Sequence, residues 1–281
     1  MAALALTLAL AAPGGGMPAL AEQPAAPSAA QPTPTPAAAS SPQACWDATA
    51  FPAMIQTCTA VVDDLALDAK MRLRARSMRA YAHMRLRAFK AGLADANAVI
   101  TAMPRNDFAL ATRAVILGSQ GRHQQALADY DRLRVLKPRS FRFAYNRART
   151  LVALQRNRDA VAAYADTLKL KPDFAVAYND RCVAHRRLKA FALAKADCEA
   201  AIKLKPRQLD AYRNLAAQYL DQKRYDEAVS AWRQATEVFG APLITALRVK
   251  LIKAELLKGQ PQGAFDATVE AALKACFKVD C

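Results

Sequence analysis

Apolar and small residues recur along this chain on a 34-residue period, and the columns they form predict paired helices. With units taken as 73–106, 107–140, 141–174, 175–208 and 209–242, the 8th position reads Ala80, Ala114, Ala148, Cys182 and Ala216. The 20th position reads Gly92, Ala126, Ala160, Ala194 and Ala228. Small side chains at both places let two antiparallel helices approach closely. The bulkier 24th position (Tyr130, Tyr164, Trp232) fills the space between neighbouring pairs. Pro104, Pro138, Pro172 and Pro206 close successive patterns 34 residues apart. A fixed period of this length marks a helix-turn-helix array, which is stabilised by stacking of neighbours rather than by one central core. Five units exceed the roughly three that a stable stack needs.

The flanks have other patterns. Residues 2–12 are an uncharged apolar run, followed by Pro13, three glycines and the small-x-small site Ala19-Leu20-Ala21. That order predicts a signal peptide over 1–21, cleaved before Glu22, and an exported protein of the periplasm or cell envelope. The run is too short to span a membrane. Residues 22–43 are almost entirely Pro, Ala, Ser, Gln and Thr, the composition of a disordered, extended linker. An N-terminal capping region is expected over 44–72, with an amphipathic helix at about 51–66. After Gly240-Ala241-Pro242 the 34-residue frame degrades, and 243–281 is expected to be a short helical cap with helices at about 243–257 and 265–277.

Charge changes the picture of the partner. Forty Lys and Arg against 24 Asp and Glu give a net charge of +16, so anionic partners are favoured in a salt-dependent way. Export moves the expectation away from nucleic acid and towards envelope polymers, lipid head groups or acidic proteins; a merely solubilising basic surface accounts for the charge equally well. Catalytic motifs are missing: there is no Gly-rich phosphate loop, no Gly-x-Ser-x-Gly and no His-Glu-x-x-His. His83, His123 and His185 lie on different repeats, and Asp63-Asp64 sits at a helix end without a pocket. No enzyme activity and no cofactor are expected. No Cys-x-x-Cys spacing occurs, so no metal site is expected either. Each of the six cysteines has a close neighbour, which fits three sequential disulfides, Cys45–Cys58, Cys182–Cys198 and Cys276–Cys281; six reduced thiols in a reducing compartment are the other reading.

The segment Tyr212-Arg213-Asn214-Leu215-Ala216, with Tyr219, Tyr225, Ala228, Trp232 and Ala235, resembles a tetratricopeptide repeat almost column by column. The Arg-small pairs at Arg79-Ala80, Arg113-Ala114, Arg147-Ala148 and Arg181-Cys182 follow the same frame, while Gly92 and Gly240 depart from the usual Ala and Pro. The resemblance implies an all-α, right-handed superhelical solenoid of antiparallel helix pairs. It also implies that Cys182 and Cys198, at the 8th and 24th positions, face each other across one hairpin. In this family the first helices line a concave groove. The inward positions here would be Arg142, Tyr145, Asn146, Arg149, Asn179, Arg186, Arg187, Arg213 and Asn214. Guanidinium forks and amides suit the carboxylates and backbone of an extended peptide. The first two repeats would supply a more apolar set, Tyr81, Met84, Phe108, Ala111 and Val115.

Residues 244–276, with Gly259, Gly263, Phe265 and Ala272, are similar to the first part of a peptidoglycan-binding module; Glu255 stands where that family has glycine, and the second half is missing. A worn sixth repeat is the alternative for this segment. The resulting expectation is an exported, non-enzymatic scaffold that binds protein segments with an acidic or C-terminal carboxylate end, with peptidoglycan as a second partner. The competing expectation is a cytosolic or accessory repeat module whose basic face contacts anions such as RNA.

Overall fold

The computed structural model describes residues 41–279, all-helical with fourteen helices and no strand among them. The expected signal peptide, residues 22–40 of the linker and Cys281 lie outside the described residues. The chain forms two compact units that divide between Arg156 and Asn157.

The first unit holds α1 (Pro42–Asp47), α2 (Phe51–Asp63), α3 (Ala69–Arg85), α4 (Phe89–Ala102), α5 (Asp107–Ser119), α6 (His123–Leu136) and α7 (Phe141–Ala153). The second holds α8 (Asn157–Leu170), α9 (Ala175–Arg187), α10 (Phe191–Leu204), α11 (Leu209–Leu220), α12 (Tyr225–Phe239), α13 (Ala241–Lys253) and α14 (Ala267–Val279). Helix starts follow local chemistry. Asp68, Asn106 and Ser140 accept hydrogen bonds from the first-turn amides of α3, α5 and α7, removing donors that a helix end leaves unpaired. Helix α1 begins two residues inside the stretch that composition assigned to the linker. Ser41 caps it through Ala44 N (3.1 Å), and Pro42 sits where its missing N–H costs nothing.

One turn is repeated six times. Arg87, Gly121, Gln155, Lys189, Lys223 and Glu255 all take a left-handed φ between 57° and 75°. In each case the next N–H reaches back to close the preceding helix. Ala88 donates to His83 O, Arg122 to Leu117 O, Arg156 to Leu151 O, Ala190 to His185 O, Arg224 to Tyr219 O and Leu256 to Leu251 O, at 2.8–2.9 Å. This bond satisfies a carbonyl that the helix C-terminus exposes. In the first five turns the second helix of the pair starts two residues later; after Glu255 it starts only at Ala267. The sixth pair therefore keeps the turn of the array but carries a ten-residue insertion.

The small columns behave as close-approach points. Ala80, Ala114, Ala148, Ala126, Ala160, Ala194 and Ala228 are at most 1% exposed. Gly92 belongs to that column because a Cβ there would lie 2.9 Å from Ile116 Cδ1 and 3.2 Å from the Ala80 carbonyl oxygen. Disulfides join α1 to α2 through Cys45–Cys58 and α9 to α10 through Cys182–Cys198, with Cα separations of 4.7 and 5.5 Å. All four are fully buried.

Candidate partner-binding surface

Helix orientation in three of the pairs is held by a recurring ion pair. Arg79, Arg113 and Arg181, on the first helices, each make two parallel bonds at 2.6–2.8 Å to a carboxylate sixteen residues on: Asp95, Asp129 and Asp197. The fork matches both oxygens, so the pair sets direction as well as distance. In two cases the third nitrogen reaches the preceding helix, Arg79 Nη1 to Thr59 Oγ1 (3.0 Å) and Arg113 Nη1 to Asn97 Oδ1 (2.9 Å). The equivalent residue for Arg147 is Ala163, and Arg147 bonds instead to Asp131 on α6 at 2.6 Å. Arg79, Arg113, Arg147 and Arg181 are thus held between helices by carboxylates.

In the first unit the apolar set forms an open aromatic row. The Phe51 and Tyr81 rings are 6.0 Å apart edge-to-face, and Tyr81 and Phe108 are 5.6 Å apart. Phe108 is 40% exposed. The Arg85 guanidinium lies 4.5 Å from the Phe51 centroid and donates to Tyr81 Oη at 2.8 Å. Further along, Tyr145 is buried, Asn146 is half-buried and Arg142 and Arg149 are exposed. Their guanidinium carbons rest 5.8 Å from the Phe141 and Tyr145 rings respectively.

In the second unit the expected residues fall into two groups. Asn214 Nδ2 donates to Asn179 Oδ1 at 2.9 Å, joining α11 to α9, and Asn179 is 7% exposed. Arg213, beside Asn214, is partly held by Asp210 at 3.2 Å. Arg186 instead turns to Asp221 (3.8 Å), and Arg187 is exposed. Sequence reasoning missed Lys250. Burial, reinforced by the neighbouring Arg213, holds its ammonium below the usual lysine range. Counting back from the Glu255 turn places Lys250 on the first helix of a sixth pair, but the frame had slipped by two residues and hid it.

His83 and His185 are packed within the helix pairs. His185 Nε2 lies 3.7 Å from Asp197 Oδ2, a carboxylate already taken by Arg181. Burial pushes His83 and His185 below the ordinary histidine range. Among the described residues no cluster of His, Cys, Asp or Glu could hold a metal, and no helix is long and apolar enough to cross a membrane.

The family model for the tetratricopeptide repeat matches residues 145–208 and 213–276. These segments are tetratricopeptide repeats. The second match takes in Gly259, Gly263, Phe265 and Ala272, so the repeat family accounts for the segment first likened to a cell-wall module. The left-handed Glu255 turn gives the same reading from geometry, and Asp266 caps the last helix by accepting from Thr268 N and Val269 N. A curated relative, small glutamine-rich tetratricopeptide repeat-containing protein 2 of Saccharomyces cerevisiae, is 27% identical over 121 residues, 40% of this chain. The chain spans 35% of that relative's length. Among solved structures, MamA of Desulfovibrio magneticus RS-1 superposes with a TM-score of 0.56 at 15% identity, covering 59% of this chain and 94% of its own. YrrB, described as a TPR protein with an unusual peptide-binding site, superposes at 0.56 and 14% identity, covering 70% and 98%. At such identities the likeness is one of fold, a helical solenoid of repeats. Repeats of this family mediate protein–protein interaction.

Proposed function

We propose that the chain is an exported, non-enzymatic interaction module that holds an acidic, carboxylate-ended segment of a partner protein on the faces of α9, α11 and α13. The observation that carries this is the crowding of Lys250 and Arg213. Lys250 and Arg213 are both half-buried, and burial, reinforced by the Arg213 charge, disfavours the Lys250 ammonium, beside the Asn179–Asn214 amide bridge. A bound carboxylate relieves that repulsion and gains charge-assisted hydrogen bonds worth about 1.5–3 kcal/mol each where desolvated. The peptide-binding site named for YrrB supports the same class of ligand. Export is supported by the apolar run at 2–12 and by two buried disulfides, which persist in oxidising compartments.

The test is titration of the purified chain with an acidic hexapeptide bearing a free C-terminal carboxylate, and with its C-terminal amide. The free acid should bind more tightly than the amide, and more weakly as salt rises. The Arg213→Glu, Lys250→Glu double variant should lose at least about tenfold in affinity with its helical content unchanged. Equal binding by the double variant would remove this face as the site.

A further inference from the structure

Charge is divided unequally along the chain. Residues 41–156 hold 19 Lys and Arg against eight Asp and no Glu, which is +11 of the chain's formal +16. Three of those carboxylates are spent inside the first unit, where Asp95, Asp129 and Asp131 hold Arg79, Arg113 and Arg147.

Uncompensated cations collect where α6 ends. Arg134 lies in the last turn of α6, and Lys137 and Arg139 follow it. Two contacts tie this end to the loop that precedes α5. Arg132 donates to the Pro104 carbonyl oxygen, and Lys137 pairs with Asp107 at 3.1 Å. Arg105 sits next to Pro104 in that loop, so Arg105, Arg132, Arg134, Lys137 and Arg139 share one edge of the unit. Arg105, Arg134 and Arg139 are exposed, and among the described residues no carboxylate pairs with them. Asp107 is the one carboxylate within 101–107 and 132–140.

Apolar atoms lie among these charges. Val135 follows Arg132 by one turn on the same face of α6 and is 74% exposed. Ala102, Pro104 and Pro138 are exposed beside it. An aliphatic group held in water between guanidinium groups gains nothing from a soluble polyanion. It gains from a layer that carries phosphates outside and hydrocarbon within. Guanidinium forks match pairs of phosphate oxygens, and a cluster of about four to eight Lys or Arg is the composition that recognises anionic phospholipid. Single-stranded nucleic acid also needs rings on which its bases stack. Segments 101–107 and 132–140 hold no aromatic residue, and the flanking Phe108 and Phe141 lie against Tyr81 and Arg142. No helix among the described residues is long and apolar enough to cross a membrane, so contact through this edge is peripheral.

We propose that the edge centred on Val135 is a docking surface for an anionic phospholipid bilayer. Arg105, Arg134 and Arg139 take the phosphates, and Val135 enters the headgroup layer. This surface belongs to the first unit, whereas Arg213 and Lys250 belong to the second.

The experiment mixes the full chain with phosphatidylcholine vesicles, with and without phosphatidylglycerol, and measures bound protein by flotation. Binding should require phosphatidylglycerol and weaken as salt rises. The Arg105→Gln, Arg134→Gln, Arg139→Gln variant should bind at least about tenfold more weakly. Its three positions are exposed and unpaired, so circular dichroism should show unchanged helix. The Lys203→Gln, Lys205→Gln, Arg207→Gln variant removes the same charge from exposed positions of the second unit and should lose less than about threefold. In Val135→Trp, the added indole should shift its emission to the blue on phosphatidylglycerol vesicles, beyond any change shown by the two native tryptophans. Equal losses in the two triple variants overturn the proposal, because binding then follows net charge alone. Vesicle binding without the added blue shift also overturns it, since Val135 then stays in water. Failure to bind phosphatidylglycerol vesicles overturns it as well. Capture of mixed-sequence single-stranded RNA in that case, weakened by the first triple variant, would assign the edge to nucleic acid. None of these results bears on peptide capture by Arg213 and Lys250.

Discussion

Arg113 and Arg147 stand in one column of the repeat but face carboxylates of unequal burial, and that inequality decides what each is worth. The Asp129 side chain is 3% exposed, whereas that of Asp131 is 46% exposed. Truncating Arg113 strands a buried charge, which costs about 3 kcal/mol. Truncating Arg147 releases a carboxylate to water and costs less than about 1 kcal/mol. Urea denaturation of Arg113→Met and Arg147→Met should show this separation; equal losses would mean that burial of the partner does not control the column. The arginines were legible as Arg-small dipeptides on the 34-residue period. Their partners were not, although Asp95, Asp129 and Asp197 each lie sixteen residues on. Hydrophobic periodicity marks which face is buried, and a carboxylate on that face reads as an exception until its partner is known. Within the expected groove the same limit applied: Asn179 and Asn214 meet, while Arg186 turns to Asp221.

The paired helices were readable because one small residue per helix is a steric requirement at each crossing. Gly92 shows how strict it is, since even a Cβ would press on Ile116 and on the backbone of Ala80. The turns were hidden, because only Gly121 among the six left-handed positions is glycine. The others carry Arg, Gln, Lys or Glu, whose side chains are compatible with that conformation at some cost, so composition does not flag them. The sixth pair was hidden for a related reason. It follows Gly240, where the fifth pair lacks the closing proline, and it has gained the loop before Ala267, where Arg248 donates to the Gln260 and Ala264 carbonyl oxygens at 3.2–3.3 Å. The fourth pair differs in its 24th position: Cys198, bonded to Cys182, replaces the buried aromatic present as Tyr130, Tyr164 or Trp232 in three other repeats. Covalent closure there takes over from aromatic packing. Replacing both cysteines by alanine removes a cross-link over a 16-residue separation, for which the chain-entropy estimate is about 3 kcal/mol. Amide exchange should then quicken in α9 and α10 more than in α11 and α12. Uniform acceleration along the second unit would show instead that the bridge sets global stability and not the fourth pair alone.

At the scale of the molecule, charge, compartment and covalent chemistry constrain one another. A net charge of +16 leaves the partner's class open between nucleic acid and acidic protein, and compartment is what separates them. Burial makes the two disulfides resistant to reduction once formed, yet it says nothing of where they form; the oxidising environment must be met while the chain is still open. In the proposed exported form, a leader would thus control the fourth pair indirectly, by deciding where folding takes place. If residues 1–21 act as a leader, wild-type cells should yield a chain beginning at Glu22 in the envelope fraction, with Cys182 linked to Cys198 in a non-reducing peptide map. Deleting residues 2–12 should leave the chain in the cytosol, where both thiols alkylate on unfolding and the melting temperature falls towards that of the double alanine variant. Oxidised, cleaved protein from the deletion strain would separate disulfide formation from export. A full-length, uncleaved wild-type chain in the cytosol would remove the leader altogether and return the basic surface to cytosolic anions.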